Sequence, residues 1–415
     1  MQYILIGLLA TTVAAFAQTD PAIERPTAPD FGTITSSNLA PVAHDTNQEA
    51  INQYFQLQLD VAARQRHDRS PTEAIRTLVA VLKTNAPTEF QRKALFELAL
   101  ATQDIPDYVK AQQIFAQYLH LYSDDPSAPE VLLRQGLLYR EMGVTTMAIS
   151  KFYGVMSTAL KLKLDNIDYY KNLVLQSQVE IADTYYLEGD FADSADFYTR
   201  ILKVDSPSLN KEIVLTKLVR SLSYLSNNVE TIVRANMFLD QFTNSTSVPE
   251  VRFLLASAYK AVGRNQEAMK QVLTLLQTEQ ANVQKNPDVW AYWQRRAGNQ
   301  IANQLYKEAD YPDALEIYQC MAALDDSIHW KAPVWYQIGL VYEQLQQWDK
   351  ATNYYGRITA KQKELTAAGS PPSLAEVCEM AQWRTDYIAW AEKARLSNHE
   401  FQRSALYSTN KTSIQ

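Results

Sequence analysis

The sequence predicts an all-α chain assembled from successive antiparallel helix pairs. Three observations carry that expectation. Apolar residues recur at intervals of three and four from about Gln48 to about Ala394, the period of one face of an α-helix. Only 11 glycines occur in 415 residues, too few for turn-dense all-β folds or phosphate-cradling loops. One arrangement of small and aromatic residues, clearest in VWYQIGLVYEQLQQWDKATNYYGRI (Val334–Ile358), returns several times along the chain.

The elements follow in order. Ile4–Phe16 is apolar or small throughout, too short for a bilayer core of about 30 Å, and it ends in Ala15-Phe16-Ala17, the small-x-small pattern of a cleavage site. Residues 1–17 are therefore expected to be a signal peptide, with Gln18 the first mature residue of an exported protein, periplasmic or extracellular. Residues 18–47 are dense in Pro, Thr, Ser and Asp without helical periodicity, which predicts a flexible linker. Residues 48–360 carry the helical repeats. A helix over 373–395, with Leu374, Val377, Ala381, Ile388 and Ala391 on one face, is suited to capping them. Residues 396–415 form a polar tail. No further apolar run approaches the length of a membrane span.

The repeating frame reads Trp335, Ile338-Gly339, Tyr342, then Ala351, Tyr355 and Ile358. Leu132, Gly136, Tyr139, Ala148, Phe152 and Val155 reproduce it, as do Ala182, Tyr185, Ser194, Tyr198 and Ile201, and Ala256, Tyr259, Ala268, Val272 and Leu275. Softer copies use Ala99, Ala111, Phe115 and Tyr118, and Ala302, Ala314, Tyr318 and Met321. Two degenerate copies lie around Ala74, Leu78 and Val81 and around Ala235, Leu239 and Phe242, the last with a longer connecting turn expected. Gly143, Gly189 and Gly263 fall between the helices of their pairs, where positive φ ends the first helix. The small residues let two helices approach closely, and the rings fill the space beside that contact.

This pattern resembles the tetratricopeptide repeat, W-x-x-L-G-x-x-Y…A-x-x-x-F…P. The resemblance implies a right-handed superhelical solenoid of about 7–9 helix pairs, each completing its core against the next. It also implies a concave groove lined by the first helices, a surface for an extended segment or helix of another protein. Carried onto this chain, the groove positions include Phe96, Leu133, Arg140, Tyr186, Phe253, Lys260, Tyr306 and Tyr336.

Chemistry is sparse by comparison. A net charge of −7 lacks the basic footprint of nucleic-acid binding, and the one basic cluster, Arg64–Arg69, sits at an expected helix end. The five histidines form no H-x-x-x-H pair, and no nucleotide-binding or serine-hydrolase motif is present. No catalytic residue, metal site or cofactor is expected. The acidic pairs Asp124-Asp125, Glu188 with Asp190, and Asp325-Asp326 fall at turns, where carboxylates cap free N–H groups. Cys320 and Cys378 lie too far apart in the frame for a disulfide, so both thiols are expected to be free. The expected function is a non-catalytic protein-binding scaffold of the bacterial envelope. Two alternatives stand beside it: an exported all-helical carbohydrate-active enzyme, which needs a cleft carboxylate pair with one raised pKa, and a peptidoglycan- or polysaccharide-binding module built on Trp290, Trp293 and Trp330.

Overall fold

The computed structural model describes residues 48–162, 166–277, 286–367 and 370–412; the expected signal peptide and linker lie outside them. Eighteen helices and no strand occur among the described residues. The chain divides into two compact units whose sequence boundary lies between Asn227 and Asn228.

The first unit holds α1 (Gln48–His67), α2 (Pro71–Leu82), α3 (Thr88–Asp104), α4 (Tyr108–Leu121), α5 (Ala128–Glu141), α6 (Thr145–Lys161), α7 (Ile167–Glu188), α8 (Phe191–Ile201) and α9 (Lys211–Tyr224). The second holds α10 (Asn228–Gln241), α11 (Val248–Ala261), α12 (Asn265–Gln277), α13 (Pro287–Lys307), α14 (Tyr311–Ala322), α15 (Ile328–Gln344), α16 (Trp348–Thr359), the short α17 (Gln362–Leu365) and α18 (Pro372–Thr412). Within each unit every helix from α1 to α16 packs on its neighbour in sequence, and α18 closes the second unit against α16 and α15. The helix expected over 373–395 continues through the polar tail to Thr412.

Local chemistry sets the helix boundaries. Asp107, Asn166, Asp190 and Asn210 each accept the N–H three residues on, at 3.1–3.2 Å, and start α4, α7, α8 and α9. Whereas α3 ends on the extended Ile105, a left-handed residue follows α1, α5, α7, α9, α11, α13 and α15, namely Arg69, Gly143, Gly189, Ser226, Gly263, Ala309 and Gln346. The next N–H then reaches back to close a six-to-one bond, as from Val144 to the Tyr139 carbonyl (2.8 Å) and from Gln347 to that of Tyr342 (2.9 Å).

The fourth residue of each second helix marks the core. Ala74, Ala111, Ala148, Ser194, Thr231, Ala268, Ala314 and Ala351 are all at most 1% exposed. This corrects the degenerate fifth copy. The turn before α10 has three residues, like most of the others, so the frame there begins at Thr231; Ala235 takes the ring position and Phe238 is fully buried, while Leu239 and Phe242 are half-buried. With Thr231 in place, successive markers stand 37, 37, 46, 37, 37, 46 and 37 residues apart. The two long steps contain the longest repeat helices, α7 with 22 residues and α13 with 21. Each of α4 to α8 begins 120 residues before its counterpart among α10 to α14, as Tyr108 does before Asn228 and Phe191 before Tyr311. A three-pair module therefore occurs twice.

Glycine and ring meet more directly than packing side by side. A Cβ on Gly339 would lie 2.7 Å from Cζ of Tyr355, and one on Gly136 would lie 2.6 Å from Cδ1 of Phe152. The second-helix ring sits on the glycine itself.

Candidate functional site

The eight groove positions differ sharply in access. Leu133, Phe253, Lys260 and Tyr336 are buried, and Phe96, Arg140, Tyr186 and Tyr306 are half-buried. Phe96 packs edge-on against Phe115, its ring also tilted toward Tyr118, and Tyr336 lies against Tyr355. These two rings therefore pack on the second helix of their own pair.

The charged positions join neighbouring pairs instead. Arg140 on α5 donates to Glu180 on α7 at 2.6 Å, and Lys260 on α11 pairs with Glu308 at the end of α13 while donating to Asn265 at 3.0 Å. Arg66 on α1, from the basic cluster, bridges Glu97 (2.7 Å) and Asp104 (2.9 Å) on α3. The buried rings add a second polar layer. Tyr198 donates to Asp183 (2.5 Å), which also accepts from Lys217 on α9 (2.6 Å). Tyr355 donates to Glu343 (2.5 Å), which accepts from Arg384 on α18 (3.1 Å). Tyr118 donates to the buried Asp125 at 2.7 Å, which pairs with Arg92. Burial first, and the neighbouring carboxylate second, push these three phenols above the ordinary tyrosine range.

The acidic pairs serve as caps and ties. Asp125 accepts the N–H of Ser127, Asp190 caps α8, and Asp325 accepts the N–H of Ser327, a bond that holds its carboxyl below the usual range. One carboxyl moves the other way: Asp313, in the first turn of α14, is raised by partial burial and by Asp310 beside it. Among the described residues no cluster of three or more metal-ligating groups occurs, and no helix is long and apolar enough to cross a membrane. Cys320 is half-buried, Cys378 is buried, and both are free.

The three tryptophans considered for polysaccharide binding do not form an exposed platform. Trp290 is fully buried, Trp293 leans on Phe253 at 5.3 Å, and Trp330 donates to the Met321 carbonyl at 2.7 Å beneath Arg295. Sequence reasoning placed Tyr186 and Tyr306 on the groove but missed the aromatic groups that each of them joins. At the turn ends of α7 and α9, Phe191 packs edge-on to Tyr186 (5.6 Å) and stacks on Tyr224 (4.4 Å, 20°), which is 64% exposed. The counterpart 120 residues on places Tyr311 edge-on to Tyr306 at 5.5 Å, its hydroxyl on Gln344. Besides those two groove positions, the signal for this site is that tyrosine or phenylalanine stands near both ends of the turn in each copy of the module. An open cavity of about 1000 Å³ lies where the end of α6 faces α7, lined by Tyr170, Leu175, Val204 and Asp205 among others.

The family model described as "Tetratricopeptide repeat" matches residues 334–363. Among solved structures, the chain is similar to the C-terminal part of a TPR repeat-containing protein from Cytophaga hutchinsonii, with 15% identity, a TM-score of 0.48, and 65% of this chain and 96% of that one covered. It is similar to a tetratricopeptide repeat protein from Parabacteroides merdae, with 12% identity, a TM-score of 0.40, and 72% and 100% covered. It is also similar to putative kinesin light chain TPR-like repeats from Podosopora anserina, with 17% identity, a TM-score of 0.36, and 48% and 96% covered. No curated protein matches. Residues 334–363 match the tetratricopeptide repeat, the buried notch residue recurs in the helix pairs before it, and a ring stands at the second-helix position in four of them, as Phe115, Phe152, Tyr198 and Tyr318.

Proposed function

We propose that this protein is a non-catalytic scaffold of the bacterial cell envelope, exported by its leader, that holds a partner protein on its first-helix side. The tetratricopeptide-like fold points to protein–protein interaction. The observation that carries the reading is the aromatic cluster of Tyr186, Phe191 and Tyr224, matched 120 residues on by Tyr306 and Tyr311. Tyrosine rings at a surface supply large contact area with little rotamer freedom to lose, and they dominate binding hot spots. The buried groove positions set the distance between neighbouring pairs, and the half-exposed ones, Arg140, Tyr186 and Tyr306, border the accessible face.

Affinity capture with the full chain tests this, comparing the unaltered protein with a Tyr224→Ala, Tyr311→Ala variant. Loss of a captured protein in the variant, with helicity unchanged, supports the site. Equal capture by both chains, or none by either, refutes it. Export is tested separately by expressing the full chain in a Gram-negative host and weighing it intact: a periplasmic species beginning at Gln18 is expected, and an uncleaved cytosolic chain refutes the leader.

A further inference from the structure

Where α11 meets α13, one arginine stands among rings. The guanidinium carbon of Arg296 lies 5.3 Å from the ring centre of Phe253, 5.4 Å from that of Trp293 and 5.9 Å from that of Tyr292. Phe253 is buried and Trp293 half-buried, whereas Arg296 is exposed and Tyr292 is 46% exposed. A guanidinium carries five N–H donors in a planar fork. Among the described residues Arg296 uses one of them, donating to the Tyr292 hydroxyl at 2.6 Å. Arg200, Arg264, Arg295 and Arg384 also rest on rings, and each holds a carboxylate, of Asp196, Glu267, Asp325 and Glu343 respectively. Arg296 holds none among the described residues. Arg357 also lacks one, but its rings, Trp335 and Tyr354, belong to its own helix pair, whereas those of Arg296 come from two.

The repeated module shows that packing does not require this group. In the first copy, 120 residues earlier, Leu133, Asn172, Leu173 and Gln176 stand where Phe253, Tyr292, Trp293 and Arg296 stand in the second. Leu133 and Leu173 are buried in one apolar cluster, and Asn172 and Gln176 are exposed. The seam between α5 and α7 therefore closes without rings or charge. All four positions change together in the second copy, to three rings and a cation.

We propose that Arg296, steadied by these rings, receives the side-chain carboxylate of one aspartate or glutamate, flanked by apolar residues, in a segment of the partner protein. The site presupposes the protein-binding reading above and supplies the chemistry that is recognised. Charge and shape select that occupant. The free edge of the guanidinium matches a carboxylate through two parallel N–H···O bonds, and the rings beside it keep water from screening the pair. One arginine balances one carboxylate, and a chain of net charge −7 repels a polyanion such as nucleic acid or an acidic polysaccharide. The exposed part of Tyr292 offers apolar area for the residues next to that carboxylate.

The experiment selects random phage-displayed peptides on the full chain and remakes the enriched sequences as free fluorescent peptides for anisotropy titration. The expected peptides share one aspartate or glutamate beside apolar residues. Converting that carboxylate to its amide should weaken binding about 10-fold or more, and so should Arg296→Gln. The two changes together should cost no more than either alone, which marks direct contact. Glutamine is the residue that the first copy of the module carries at this place, so helicity by circular dichroism should be unchanged. Enriched peptides that share no carboxylate, or whose binding ignores Arg296→Gln, or losses that simply add, overturn the proposal while leaving a protein-binding role in place. A chain that enriches no peptide sinks both. Arg296-dependent binding of heparin without any carboxylate peptide would assign the site to a polyanion and overturn the proposal as well.

Discussion

Replacing Gly339 with alanine should destabilise the second unit, although the same change in most helices stabilises. An interior glycine costs a helix about 1 kcal/mol relative to alanine, so propensity alone favours the substitution. The new methyl, however, lands 2.7 Å from Cζ and 2.9 Å from Cδ1 of Tyr355. That ring is fully buried, and its hydroxyl is fixed on Glu343 at 2.5 Å. Overpacking of this kind costs about 1–3 kcal/mol. Shifting the ring also stretches a buried bond to a charged acceptor, worth about 1.5–3 kcal/mol. The net expectation is a loss of about 2 kcal/mol. Gly356, on α16 of the same repeat, has nothing within 4 Å of its added Cβ, so Gly356→Ala should gain up to about 1 kcal/mol. Urea unfolding followed by circular dichroism reads both, and the opposite signs are the test. A Gly339→Ala midpoint at or above that of the unaltered chain would show that the ring does not rest on the glycine, and the packing argument would fail.

Other outcomes follow from the same contacts. Ala309→Gly and Gln346→Gly should each raise the urea midpoint, by about 1 kcal/mol of stability, because both residues hold φ near +60° (64° and 57°) at the end of a first helix. Glu343→Ala should cost about 3 kcal/mol by stranding the Tyr355 hydroxyl and Arg384, and Glu343→Gln should cost less because the amide oxygen still accepts from Tyr355. Alkaline titration should also destabilise the fold. Tyr118, Tyr198, Tyr318 and Tyr355 all have pKa values raised by burial. The folded state therefore holds their protons more tightly than the unfolded one. Their contribution is intact below about pH 10 and is lost as pH rises beyond it, with tyrosinate absorbance appearing together with unfolding.

Most of the fold was legible in the sequence because it rests on residue size. Alanine at 74, 111, 148, 268, 314 and 351, and serine at 194, have no substitute of larger volume beside a buried ring, so the spacing survives where other residues vary. The fifth pair was misread for the same reason. Thr231 fills the notch with a residue not counted as small, and Ala235, one turn later, offered a false start that also made the turn look long. The tail was read from polarity, but a helix needs no apolar face to continue past its last packed residue, and α18 runs on to Thr412.

The candidate site was much less legible, because direction along a helix face does not determine what a side chain meets. Arg140 and Lys260 occupy positions that geometry turns toward a groove, yet each finds a carboxylate on the next first helix, Glu180 or Glu308. Asp183 and Glu343 lie on the same face and take a buried tyrosine and a cation together. No spacing rule within one repeat reveals the ion-pair partner, since it stands about 30 to 50 residues away, beyond the pair. The 120-residue module is the better guide. Arg140 and Lys260, Leu133 and Phe253, and Tyr186 and Tyr306 are equivalent pairs within it, and each pair shares a similar environment. Residues kept for joining neighbours are paired or buried in both copies, whereas a binding surface must keep the same groups open in both. By that criterion the rings at the turns of α7 and α13 are intermediate, half-buried in both copies, with the exposed Tyr224 replaced by Gln344 in the second, and the buried groove positions are the framework that holds them.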